Sequence, residues 1–244
     1  MVRISAVTGF GDGETVARMP GVIAHNLFHR VGDPRTDVLL GVSIEARAGE
    51  LTTVVGPAGA GKTSLLHLLA GLDRPDAGSI SVDGRKLDGL DELELTRLRR
   101  ERIGLLLPAA SVLPTVTVRE NVALPMLIAR RAPEPAAVDA LLERVGLGGS
   151  QCRRPDDLTL ADRQRAALAR ALMSGPGVLL ADEPAGELDA GETAALLALL
   201  RDVAREDGIA VVLFTRDRSA PGAADRVVEL EGGRVVGGAA SLAA

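Results

Sequence analysis

Residues Gly56-Pro57-Ala58-Gly59-Ala60-Gly61-Lys62-Thr63, with Ser64 behind them, decide how the rest of this chain reads. An apolar run, Leu51–Val55, leads into the stretch, and Ser64–Ala70 follows as an apolar helical run closed by Gly71. A strand therefore ends in a Gly-rich loop and the chain restarts as a helix. Glycines let backbone N–H groups curl around phosphate oxygens, and the helix N-terminus adds positive partial charge. In the spacing G-x-x-x-x-G-K-[S/T], the Lys62 ammonium is placed to reach β- and γ-phosphates and the Thr63 hydroxyl to ligate Mg²⁺. Gly56, Pro57, Ala58, Gly59, Ala60, Gly61, Lys62, Thr63 and Ser64 are thus candidates for holding a nucleotide. Lysine occurs only at Lys62 and Lys86, against 26 arginines, so finding one of them at this position is informative in itself.

A second stretch completes the chemistry. Val178-Leu179-Leu180-Ala181-Asp182-Glu183-Pro184 is an apolar strand that delivers two acids at its end. Asp182 is the candidate for the Mg²⁺ shell, as strand-end acids are in P-loop NTPases. Glu183, one residue on, is placed to polarise an attacking water as general base.

Outward from these stretches the pattern alternates between strand and helix. Val42–Arg47 alternates with period two. Ser79–Val82 runs into a turn at Asp83-Gly84. Helical patterning then covers Asp91–Arg102, Thr117–Arg131, Pro135–Val145 and Leu158–Ser174. Strand character returns at Val178–Ala181 and Ile209–Phe214, with a long Ala/Leu helix over 190–206 between them. A last hairpin, 226–231 and 234–236, turns at Gly232-Gly233, and residues 236–244 read as a frayed end. Strands at both ends and helices between them predict an α/β core with a helical insertion.

Composition removes several alternatives. Hydrophobic residues make up 46% of the 244, enough for a sizeable core, while Phe10, Phe28 and Phe214 are the only aromatics, too few for a base-stacking platform. A net charge of −5 argues against nucleic acid as a partner. The single Cys152 has no internal disulfide partner and fits a reducing compartment. No uninterrupted apolar stretch reaches membrane-spanning length, and the first twenty residues lack the apolar run of a secretory signal, so a soluble cytoplasmic chain is expected.

Over residues 22–238 the chain resembles the ATP-binding cassette (ABC) ATPases, in particular subunits of the lipoprotein-release and macrolide-export type. Asp182-Glu183-Pro184-Ala185-Gly186-Glu187-Leu188-Asp189 is similar to the family's Walker B motif and D-loop, and Leu113–Val122 to the entry of its helical subdomain. Arg163-Gln164-Arg165 and Ala169–Leu172 align with its signature helix. The resemblance implies a P-loop NTPase core with a RecA-like sheet, an N-terminal antiparallel β subdomain, and a helical subdomain inserted near 109–172. Residues 1–21 are left as a loosely ordered extension and 22–244 as the cassette. It further implies ATP and Mg²⁺ as cofactors, a second cassette as homo- or heterodimer partner, and an integral-membrane permease that holds the chain at the inner face of the plasma membrane.

The departures bear on catalysis. Where the family has Leu-Ser-Gly-Gly-Gln, this chain has Leu158-Thr159-Leu160-Ala161-Asp162, and Leu160 adds bulk where the resemblance implies glycine. The family's Q-loop glutamine falls at Pro108, which offers neither a side-chain amide nor an N–H. Its switch histidine falls at Arg216, always charged, able to grip a γ-phosphate but not to shuttle a proton. The adenine-stacking aromatic falls near Val31, with Phe28 and His29 as substitutes. Together these predict MgATP binding with slow hydrolysis; a fully active ATPase is the alternative. A GTPase reading fails because the nearest guanine-recognition string, Arg85-Lys86-Leu87-Asp88, begins with the wrong residue.

Overall fold

The computed structural model describes residues 21–107, 112–218 and 220–238. They form two sheets and six α-helices. The first sheet is antiparallel, in the order β2 (Thr36–Arg47), β1 (Gly21–Val31), β4 (Ala77–Val82), β5 (Arg85–Lys86). The second has six strands in the order β10 (Arg234–Gly238), β9 (Arg226–Glu231), β3 (Leu51–Val55), β8 (Ala210–Thr215), β7 (Val178–Asp182), β6 (Ile103–Leu106). From β9 to β6 its strands run parallel, and only β10 turns back, antiparallel to β9.

Parallel strands need crossovers, and the helices supply them. They are α1 (Lys62–Leu69), α2 (Glu92–Arg102), α3 (Val118–Ile128), α4 (Pro135–Arg144), α5 (Leu160–Leu172) and α6 (Ala190–Asp207). Side chains on a strand alternate between faces, so each central strand feeds two cores. Val178 and Leu180 of β7, with Ala210, Val212 and Phe214 of β8, pack with α1 and the antiparallel sheet. Leu179, Ala181, Val211 and Leu213 point the other way, onto α5, α6 and the helices before them. Helices α3, α4 and α5 lie in the chain between β6 and β7, which are neighbours in the sheet.

Local sequence explains where the helices begin. Asp91, Thr117 and Asp189 each accept the N3 backbone N–H, while Glu94, Glu120 and Glu192 reach back to the cap, closing three capping boxes on α2, α3 and α6. Thr159 caps α5 in the simpler way, accepting from the Asp162 N–H. These caps trim the sequence-based ranges, because a residue whose side chain caps must keep extended backbone itself. The starts expected at Leu158 and Thr117 thus move to Leu160 and Val118, and the two helices end at Leu172 and Ile128.

Two strands lack a clean signal in the sequence. β1 carries register shifts along its pairing with β2, which break the period-two pattern. β6 is a four-residue run containing Gly104, where a Cβ would come within 2.7 Å of the Ala171 carbonyl oxygen; α5 crosses too closely for any side chain. At the other end, β10 extends through Gly238, so residues 236–238 belong to the sheet rather than to a frayed tail. The expectation for residues 1–20, and the placement of Pro108, lie outside the described residues. Among the described residues no helix is long and apolar enough to cross a membrane.

Candidate functional site

The site forms where β3, β7 and β8 end on the same side of the parallel sheet, as their pairing requires: Val55 lies opposite Thr215, and Asp182 opposite Phe214. The Gly56–Gly61 loop leaves β3 there and enters α1. Gly61 holds φ +99°, and a Cβ on it would lie 2.7 Å from Leu39 Cδ2, so β2 packs directly beneath the loop and only glycine fits. At Gly56 a side chain would collide with the Leu230 carbonyl of β9. Gly59, at φ +78°, has nothing within 4 Å of where a Cβ would sit and leaves the loop crest open.

Helix α1 begins differently from the capped helices. No side chain caps it, and its first turn carries no acid. Its positive end is therefore left uncompensated on the side of the glycine loop, the arrangement an anion requires. Lys62, 6% exposed, folds its ammonium into the loop and donates to the carbonyls of Gly56 at 2.7 Å and Pro57 at 3.0 Å. Burial lowers its pKa, against the attraction of Glu183 and Asp182, while the nearby Arg216 charge pushes the same way as burial. Pro57, Ala58 and Thr63 are exposed on this surface, Ala60 is buried under it, and Ser64 is half-buried on α1.

Opposite Lys62 stand the two acids. The Thr63 hydroxyl lies 3.5 Å from Asp182 Oδ2. Burial, and then the charge of Glu183, raise the Asp182 pKa above its ordinary value, outweighing Lys62, Thr63 and His67. A half-buried carboxylate beside an exposed hydroxyl offers two oxygen donors. Hard oxygen ligands of this kind fit Mg²⁺. No cluster of three or more His, Cys, Asp or Glu able to hold a metal occurs among the described residues, and the oxygens on offer to an ion here would be those of Thr63 and Asp182.

Glu183 is the most constrained residue of the site. Its backbone sits at φ +41°, the left-handed region, a strain that side chains other than glycine rarely bear. Its carboxylate meets several donors. Thr215 Oγ1 donates to Oε2 at 3.2 Å, the Arg216 N–H to Oε2 at 3.1 Å, and Arg216 Nε to Oε1 at 3.2 Å. Lys62 Nζ stands 3.8 Å from Oε1. The Thr215 hydroxyl is itself fixed, accepting from the Asp217 N–H at 3.0 Å. Arg216, read from the sequence as a grip on phosphate, thus has its guanidinium on the candidate base.

The remaining sequence-based candidates separate. His29 cannot serve as a stacking surface: it is 4% exposed, with Nε2 3.3 Å from Asp73 Oδ2 and Nδ1 3.9 Å from Asp76 Oδ2. Phe28 lies against Gly41, 3.4 Å from the position of its absent Cβ, and Val31 is at the strand end on the exposed side. In the signature segment Thr159 is exposed and engaged as a cap, and Leu160 is half-buried in the first turn of α5. Sequence reasoning missed Thr215 as a site residue; no motif marks a threonine that closes a buried strand. His67, exposed on α1, is a further neighbour of Asp182 and acts to lower its pKa.

Residues 39–186 match the model of the ABC transporter family. The chain is 42% identical over 203 residues to the lipoprotein-releasing system ATP-binding protein LolD of Myxococcus xanthus, covering 82% of this chain and 91% of that protein. It is 41% identical over 211 residues to the macrolide export ATP-binding/permease protein MacB of Rhodopirellula baltica, covering 85% of this chain but only 31% of that protein. Its fold superposes with TM-score 0.79 and 30% identity on the ATP-binding cassette MJ0796, solved as a dimer in a post-hydrolysis state with ADP and phosphate, over 89% of this chain and 97% of that one. The chain belongs to the ABC transporter family and carries the fold of its ATP-binding cassette.

Proposed function

We propose that this chain binds MgATP at Gly56–Ser64 and Asp182, couples that binding to a membrane permease, and hydrolyses the nucleotide slowly. The observation that carries the reading is the Glu183 carboxylate held by Arg216 and Thr215 beside Lys62. An acceptor already saturated with donors is a poor proton acceptor for water. Mg²⁺, when bound, would neutralise charge on the phosphate oxygens. The chain's own part is to cradle the phosphates on backbone N–H groups, counter them with Lys62, and place Glu183 at the end of β7. Leu160 and Arg216, where the family has glycine and histidine, remove further contributions; losing one preorganised donor slows an enzyme by about 10²–10³-fold. The relatives named as ATP-binding/permease proteins support a permease as partner, and the dimeric cassette supports a second ATPase subunit, identical or not. Through that permease the chain would sit at the inner face of the plasma membrane.

A second reading is an active ATPase energising export or lipoprotein release. The identity to the lipoprotein-releasing subunit favours it. MgATP binding and phosphate release, measured together on the purified chain with Lys62→Ala as control, decide between them. Binding lost in Lys62→Ala, with release on the order of 10²-fold or more below a competent cassette, supports slow turnover. Brisk release abolished by both Lys62→Ala and Glu183→Gln establishes the second reading.

A further inference from the structure

Helix α3 ends on two large apolar residues, Leu127 and Ile128, that are 53% and 64% exposed. The chain then turns through Ala129, Arg130 and Arg131 toward α4. The Arg130 N–H donates to the Leu127 carbonyl and the Arg131 N–H to the Met126 carbonyl, both at 2.9 Å, so backbone groups alone close the helix end. That pattern sets Arg130 at φ +56°, in the left-handed region that favours glycine. Among the described residues, three other non-glycine residues have positive φ: Asn26 and Asp83, short enough to tolerate it, and Glu183 of the candidate site. A strained backbone kept for an arginine points to a use for its charge. The helix dipole does not explain it, because Arg131 supplies a cation one residue on without that strain. Both arginines are exposed, and among the described residues neither guanidinium has an ion pair. The next charge along the chain, the exposed cap residue Glu134, leaves the segment net positive on a molecule whose own charge is −5. Leu93 of α2 is more exposed still, but it stands between Glu92 and Glu94. Apolar side chains beside unpaired cations are what a bilayer interface takes up: the former enter the acyl boundary and the latter meet anionic headgroups.

We infer that the Leu127–Arg131 tip of the inserted helices is a membrane-contact surface that seats on anionic phospholipid. Leu127 and Ile128 enter the headgroup layer, and Arg130 and Arg131 pair with the lipid's negative groups. Each arginine near an anionic surface is worth about five-fold in affinity, so the contact is weak by itself. Where a permease holds the chain at the bilayer, as proposed above, the high local concentration of lipid makes it effective. The contact itself needs neither nucleotide nor permease.

The test is co-sedimentation of the purified chain with vesicles of phosphatidylcholine, with and without about one-third phosphatidylserine. Anionic vesicles should be bound on the order of ten-fold more tightly than neutral ones, and salt should weaken the binding. Arg130→Gly and Arg131→Gln should each cost about five-fold. Arg130→Gly should at the same time raise the melting temperature, because glycine relieves the left-handed backbone, so its loss of binding is not a loss of fold. Leu127→Ser with Ile128→Ser should cost on the order of ten-fold. Leu93→Ser with Arg97→Gln, on α2, should change nothing. Lys62→Ala should bind vesicles as the wild type does, so this inference and the nucleotide-binding reading fail separately. Equal binding to neutral and anionic vesicles overturns the inference, as does an equal loss in the α2 variant. Binding of polyglutamate through Arg130 and Arg131 without binding of vesicles also overturns it, and assigns the surface to an acidic protein segment instead.

Discussion

At the scale of single residues, the site is built from groups that the fold holds in unfavourable states. Asp182 is the clearest case. Its folded-state pKa is raised above the ordinary 3.8, chiefly by burial and then by Glu183. A carboxyl raised in the folded state contributes fully to stability below its unfolded value, and that contribution is lost as pH rises through the folded value. At neutral pH the ionised Asp182 therefore works against folding. Asp182→Asn should raise the metal-free melting temperature at pH 7 by a few degrees, about what 1 kcal/mol does in a chain of this size, with the gain vanishing below pH 3.8. The same variant should lose the Mg²⁺ dependence of nucleotide affinity. A melting temperature unchanged or lowered at pH 7 would show that Thr63 and Lys62 already compensate the charge. Function and stability thus oppose one another at this residue, as they do at the strained Glu183.

At the scale of elements, one residue organises the entrance to the helical block. Asn121 on α3 is fully buried and every polar atom of its side chain is used. Its Oδ1 accepts from the Leu113 N–H at 2.7 Å, and its Nδ2 donates to the carbonyls of Leu113, Val116 and Thr117 at 3.0 to 3.3 Å. Residues 112–117, before α3, lie in neither a helix nor a strand, so this amide partners backbone groups that no ladder pairs. Asn121→Ala should cost about 3 kcal/mol, because it strands several buried groups at once. Thr117→Ala, which removes one hydroxyl from the capping box, should cost about 1 kcal/mol. Urea denaturation of both variants checks the ranking; equal losses would mean that the loop finds water in place of Asn121.

At the scale of the whole molecule, the antiparallel sheet and the parallel sheet are joined at a seam the motifs do not mention. Asp83, in the turn between β4 and β5, accepts from Arg102 Nη1 at 3.0 Å at the end of α2. The Gly177 N–H donates to the Arg102 carbonyl at 3.1 Å just before β7 begins. A Cβ on Gly177 would lie 2.7 Å from Asp83 Cγ, so Gly177→Ala should push the buried Asp83 off Arg102 and destabilise the chain by about 2–3 kcal/mol. Gly222→Ala, with nothing within 4 Å, should be neutral. If both variants melt alike, the seam has room to adjust. The sequence by itself determined the loop at 56–63, the acids at 182–183, and the order of helices and strands, because each rests on local rules: glycine spacing, cap residues, and periods of two or 3.6. It also showed an arginine, Arg216, directly after the apolar run that ends in Thr215. Only the tertiary structure decided what that arginine touches. Lys62, Glu183 and Arg216 come from three separate strand ends, and the parallel register that aligns β3, β7 and β8 is what brings their charges to one point. Pairing between residues so distant in the chain leaves no periodic trace. The same reason hid Thr215 and the burial of His29.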